Sequence, residues 1–84
     1  MKAFAPAYSQ EALTALLASG RARRRHALAA VDRLCRAPVR TGDSSMVGPE
    51  DRECQVLFID SLLLTYWVDD ATREVRIVTL EWPD

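Results

Sequence analysis

Four arginines and the only histidine of the chain fall within six positions, in the run RARRRH at residues 21–26. Guanidinium groups grip phosphate and carboxylate oxygens, and an imidazole titrating near neutral pH can move a proton, so these residue types suit anion binding or acid–base work. Their placement argues against an active centre. The run opens a helix just after Gly20, where cations oppose the macrodipole at about 0.3–1 kcal/mol each when exposed. On the helical wheel Arg21, Arg25 and Arg36 share one flank, Arg23 lies on the other, and Arg24 falls inside the apolar arc. His26 points well away from Leu28 and from any sheet the helix covers. Two readings follow: solvated arginines that pair with acidic residues later in the chain, or an anion-seeking tip of Arg21, Arg23 and Arg25 that contacts nucleic acid or an acidic partner.

A second set of charges lies further on, with Arg52, Arg73 and Arg76 set against Glu53, Glu74 and Glu81. In-line cleavage of RNA needs a base for the 2′-hydroxyl, an acid for the leaving oxygen and cations for the charge developing on phosphorus. Interleaved carboxylates deny phosphates that basic bed. No metal or other cofactor is expected, because one histidine, no CxxC and no carboxylate cluster at ligand spacing leave a metal without a first shell. Cys35 and Cys54 read as reduced core thiols of a cytoplasmic protein.

These groups must be carried by one domain, since 84 residues with 49% hydrophobic content leave no room for a second. The net charge of −1 hides an asymmetry: residues 1–42 hold eight positive and two negative groups, residues 43–84 three and ten. The longest apolar run, LLLTYWV at 62–68, is far shorter than the ~20 residues a membrane span needs.

Periodicity divides the chain. MKAFAPAY can supply a short edge strand around Lys2 to Ala5. Ser9 is placed to cap a helix over about 9–19, with Ala12, Leu13, Leu16 and Leu17 at helical spacing and Gly20 as its left-handed end. A second helix over about 22–36, with Ala27, Leu28, Val31, Leu34 and Cys35 in one arc, stops before Pro38. Together they form a helical hairpin, about 9–36. Residues 39–51, rich in Gly, Ser, Asp and Pro, read as a loop. The period then falls to two over ECQVLFI, LLLTYWV and EVRIVTLEW, an antiparallel meander at about 53–82. The predicted fold class is α+β: an N-terminal helical hairpin packed on a three- to four-stranded antiparallel sheet. Neither sheet face is polar. Val78, Leu80 and Trp82 fall opposite Val75 and Ile77, so these three are expected on a free face that binds a partner or a second copy.

The element order and the run DRECQVLFIDSLLLTYWVDDATREVRIVTLEW resemble the RelE/ParE superfamily, toxins of bacterial type II toxin–antitoxin modules associated with plasmid stabilisation. YSQEALTALL at 8–17 resembles the opening of their first helix, LCRAP at 34–38 the close of their second, and Tyr66-Trp67-Val68-Asp69-Asp70 the end of their middle strand. The resemblance implies growth inhibition through DNA gyrase or through cleavage of ribosome-bound mRNA, neutralised by a cognate antitoxin. Arg52 and Tyr66 match family positions, and with Arg76 they are the catalytic candidates. Two departures count against cleavage: Leu63 stands where the nucleases carry an arginine, and Glu81-Trp82-Pro83-Asp84 stands where they continue with basic residues. The leading expectation is therefore a toxin that binds its target; the alternatives are an mRNA endonuclease and a non-catalytic homodimer.

Overall fold

The computed structural model describes residues 3–83. Strand β1 (Ala5–Tyr8) leads into helices α1 (Gln10–Ala18) and α2 (Arg21–Arg36). Then follow β2 (Ser44–Val47), a 3-10 turn (Pro49–Asp51), β3 (Glu53–Ile59), β4 (Leu62–Asp69) and β5 (Glu74–Glu81). The strands form one sheet in the order β1-β5-β4-β3-β2, with β1 parallel to β5 and all other neighbours antiparallel. The α+β architecture is as expected, but the sheet has five strands. The additional strand, β2, lies within residues 39–51, which were expected as loop. Four residues, SSMV, between glycine-containing turns carry too short a pattern to show a period. The first strand begins at Ala5, where the expected one ends, and Lys2 lies outside the described residues.

Local chemistry explains the helix ends. Ser9 Oγ accepts from the Ala12 amide at 3.0 Å and donates to the Val78 carbonyl at 2.6 Å, so one side chain caps α1 and ties it to β5. Gly20 does not end α1 in a left-handed conformation. It is extended (φ −66°, ψ 167°) and is the N-cap of α2, without a side-chain bond. Arg24, which the wheel put among apolar residues, reaches back to the end of α1. Its guanidinium donates to the carbonyls of Leu16 (3.3 Å), Leu17 (3.0 Å) and Ser19 (3.0 Å). A cation there satisfies orphan carbonyls and meets the negative end of the α1 dipole, which offsets its unfavourable position in α2.

The core joins Ala12 and Leu16 of α1 and Ala27, Ala30, Val31, Leu34 and Cys35 of α2 to Leu62, Leu64, Tyr66, Val75, Ile77 and Leu80 of the sheet. Three expected core residues are outside it: Leu13, Leu17 and Leu28 are 39%, 63% and 47% exposed. Leu80 is inside because the β4–β5 register slips between Thr65 and Tyr66. Thr65 faces Thr79 and Tyr66 faces Ile77, leaving Val78 as an extra residue. Beyond this bulge strict alternation is reversed, so Leu80 joins the helix side.

Tyr66 has no exposed surface, and its hydroxyl donates to the Val39 carbonyl at 2.5 Å. Burial, followed by the nearby Asp43 charge, raises its phenol pKa above the ordinary value. The folded state thus retains a proton that the unfolded chain releases near pH 10, so stability falls as pH rises through that region. Tyr66→Phe should cost about 1 kcal/mol at neutral pH and make the alkaline decline shallower, as measured by urea unfolding across pH. The glycines supply a contrast. A Cβ at Gly42 would lie 2.6 Å from the Val56 carbonyl oxygen, whereas one at Gly20 meets nothing within 4 Å. Gly42→Ala should destabilise by about 1–3 kcal/mol. Gly20→Asp, supplying a capping carboxylate beside the first-turn arginines, should stabilise by about 0.5–1 kcal/mol in the same assay.

Candidate functional site

The charged residues of the meander gather at one end of the sheet around Trp67. The Arg52 guanidinium lies 3.8 Å from the indole centroid and that of Arg76 lies 5.5 Å away, cation–π contacts that hold both flat on the sheet. Arg76 is also bound to Asp69 at 3.1 Å and Glu74 at 2.8 Å. Partial desolvation works against ionisation of Asp69, but hydrogen bonds from Arg76 and Thr72 outweigh it and keep its carboxyl below the usual range. Beside this cluster Arg40 grips both carboxylate oxygens of Asp70, at 2.8 and 2.9 Å. That clamp lowers the Asp70 pKa and, with the Tyr66–Val39 bond, straps residues 39–43 across the sheet end.

Arg52 and Arg76 therefore come together, but Tyr66 does not join them. Its side chain enters the core from the opposite face, with its hydroxyl committed to a backbone carbonyl. His26 is at the other end of β3. It is not remote from the sheet, as the wheel suggested: its Nε2 lies 3.2 Å from the Ile59 carbonyl oxygen and 3.8 Å from an Asp60 carboxylate oxygen. The seven residues of β3 separate it from Arg52 by roughly 20 Å. A general base and the paired arginines thus do not converge on one phosphate.

The sheet face away from the helices is apolar at its centre. Val56 pairs with Thr65 and Thr65 with Thr79; in the next row Phe58 pairs with Leu63 and Leu63 with Glu81. Phe58 is 53% exposed and Met46, on the neighbouring edge strand, 48%. The three residues expected on this face from β5 are scattered. Val78 is the half-buried bulge residue, and Leu80 is a core residue. Trp82 turns to the helix side, where its Nε1 donates to Ser19 Oγ at 3.1 Å and its ring lies 5.8 Å from that of His26. Arg23 stacks on the same indole at 5.1 Å, so it belongs to the packing of the hairpin tip. Arg21 and Arg25 are exposed.

A third feature had no counterpart in the sequence reading. The helices lie over β1 and β5, leaving the same face of β3 open. The result is a groove of about 490 Å³ between α2 and β3, lined by Ala30, Leu34, Ala37, Val39, Leu57 and Ile59, with Arg33 and Arg36 at its edge. Leu57 and Ile59 alternate toward the core in the sequence, but the position of the helices that leaves them uncovered has no local signal.

Among the described residues no group of His, Cys, Asp and Glu side chains could hold a metal ion, and no helix is long and apolar enough to cross a membrane. Cys35 and Cys54 are free thiols whose pKa values are raised, chiefly by burial.

Neither a family model nor a curated protein sequence matches the chain. Solved structures do. The isolated RelE toxin of E. coli superposes with a TM-score of 0.75 at 18% identity, over 98% of this chain and 86% of that one. A chain of the intact E. coli RelBE toxin–antitoxin complex gives 0.73 at 15% identity, over 98% and 99%. One from the RelBE2 complex of Mycobacterium tuberculosis gives 0.72 at 19% identity, over 98% and 100%. The helical pair on a five-stranded sheet described above is therefore the fold of the RelE toxins.

Proposed function

We propose that this chain is the toxin of a bacterial type II toxin–antitoxin pair, acting in the cytoplasm by binding a macromolecular target and restrained by a cognate antitoxin. The fold supports a toxin, since two of the similar structures are complexes of such proteins with their antitoxins. The mode of action rests on one observation: where a nuclease would need cations, the centre of the open sheet face presents Val56, Phe58 and Leu63, flanked by Glu81. Phosphates gain nothing from such a surface, while a protein surface gains by burying it. Of the two targets, DNA gyrase fits that chemistry better than ribosome-bound mRNA. Arg52 and Arg76 serve to hold Trp67 and order the sheet end; neither they nor Tyr66 carries out catalysis.

The groove between α2 and β3 is the seat we assign to the antitoxin. Its apolar floor suits one face of an amphipathic helix, and Arg33 and Arg36 suit acidic residues on the flank of that helix. Expressed alone, the chain should arrest bacterial growth, and co-expression of the adjacent small open reading frame should relieve the arrest. Leu57→Asp should weaken antitoxin binding about 10- to 100-fold and abolish relief without abolishing arrest. Undisturbed growth with the chain alone, at confirmed expression, would contradict the toxin reading. Full relief despite Leu57→Asp would move the antitoxin to another surface.

A further inference from the structure

The two faces of this domain are complementary to each other in charge and in exposed apolar surface. The helical layer carries Leu13, Leu17 and Leu28, which are 39%, 63% and 47% exposed. Arg21, Arg25 and Leu28 fall along one side of α2 by helical spacing, and Leu13 and Leu17 are one turn apart on α1. Among the described residues neither Arg21 nor Arg25 has an ion-pair partner, although Arg21 stands in the first turn of α2, where a cation is unfavourable. The packing of the monomer explains Arg23, which lies on Trp82, and Arg24, which caps α1. It gives Arg21 and Arg25 no role.

On the opposite side, the free sheet face exposes Phe58 and Met46. Its border is acidic at the Phe58 end, whereas Arg52 and Arg76 lie on Trp67 at the other end of the same face. Glu81 stands at the end of the Phe58–Leu63 row, and Asp43 accepts a hydrogen bond from the Phe58 amide at 2.8 Å. Exposed leucines and two unpaired arginines thus lie in the helical layer, and an exposed phenylalanine with Asp43 and Glu81 near it lies on the sheet face.

We propose that these two faces bind each other between copies of this chain, helical face to sheet face. Because the two patches differ, the contact is heterologous: each copy keeps one patch free, so association continues into short chains or a ring and does not stop at a twofold dimer. The contact joins exposed ion pairs to a modest apolar area, so it is weak, concentration-dependent and sensitive to salt. It also buries the sheet face on which the toxin reading relies, but its own basis is charge and exposure alone, and it stands or falls separately from that reading.

Light scattering coupled to size exclusion measures it on the whole chain. The wild type should exceed its monomer mass of 9.4 kDa increasingly with concentration, and return toward it between about 0.05 M and about 0.5 M salt. Arg25→Glu, which spoils only the helical face, and Phe58→Lys, which spoils only the sheet face, should each be monomeric, with circular dichroism confirming that both remain folded. Mixed in equal amounts they should form a one-to-one heterodimer of twice the monomer mass and nothing larger, since each supplies the face the other has lost. A wild type that stays monomeric up to millimolar concentration would overturn the proposal. So would a mixture that stays monomeric, which would indicate a symmetric contact, or an association that persists in either single variant.

Discussion

Val78, the residue of β5 left without a partner at the Thr65–Tyr66 step of β4, determines which side chains the two layers share. Without it Ile77 and Leu80 would lie on opposite faces, and the helices would meet a sheet stripped of half its apolar contacts at one end. With it, Val75, Ile77 and Leu80 all face Ala12, Leu16, Val31 and Leu34. The bulge is held from the helix side by Ser9, whose hydroxyl bonds the Val78 carbonyl while capping α1. A single side chain therefore couples the start of the helical layer to the register of the sheet. The same slip sends Trp82 back over the hairpin tip, while the regular β3–β4 register puts exposed Phe58 and half-buried Leu63 on the opposite face.

Electrostatics follow from that division of faces. The basic first half of the chain lies largely in the helical layer and the acidic second half in the sheet and its turns, so the sequence asymmetry becomes a spatial one. Most individual charges are consumed locally. Arg24 closes α1, Arg40 is clamped on Asp70, and Arg76 divides itself between Asp69 and Glu74. Arg52 is spent on the indole of Trp67. Each guanidinium engaged in packing is one fewer to stabilise a developing phosphorane, and His26 lies at the other end of β3 from Arg52 and Arg76.

Much of the fold was legible in the residues because local signals agreed with tertiary needs. Ser9 read as a cap and acts as one, and the change of period after residue 52 marked the three long strands. The failures have specific causes. A helical wheel treats Leu28 as core because it ignores that the α1–α2 hairpin leaves that flank open, and it treats Arg24 as misplaced because it ignores the neighbouring helix end. Strict alternation misassigned Leu80 and Trp82 because a bulge is invisible to a period of two. Of the catalytic candidates, Arg52 and Arg76 lie on the indole of Trp67, whereas Tyr66, one residue before it, points to the other face. The α2–β3 groove arises from the position of the helices on the sheet, which no local pattern encodes.

The claim that most needs a direct measurement is that the protein acts without cutting RNA. Purified protein added to ribosomes translating a defined message, followed by primer extension, gives the answer. The expected result is an intact message at protein levels that arrest growth in cells. Cleavage within the ribosome-bound codon, reduced by Arg52→Ala and Arg76→Ala in folded protein, would contradict it and restore those arginines to the mechanism.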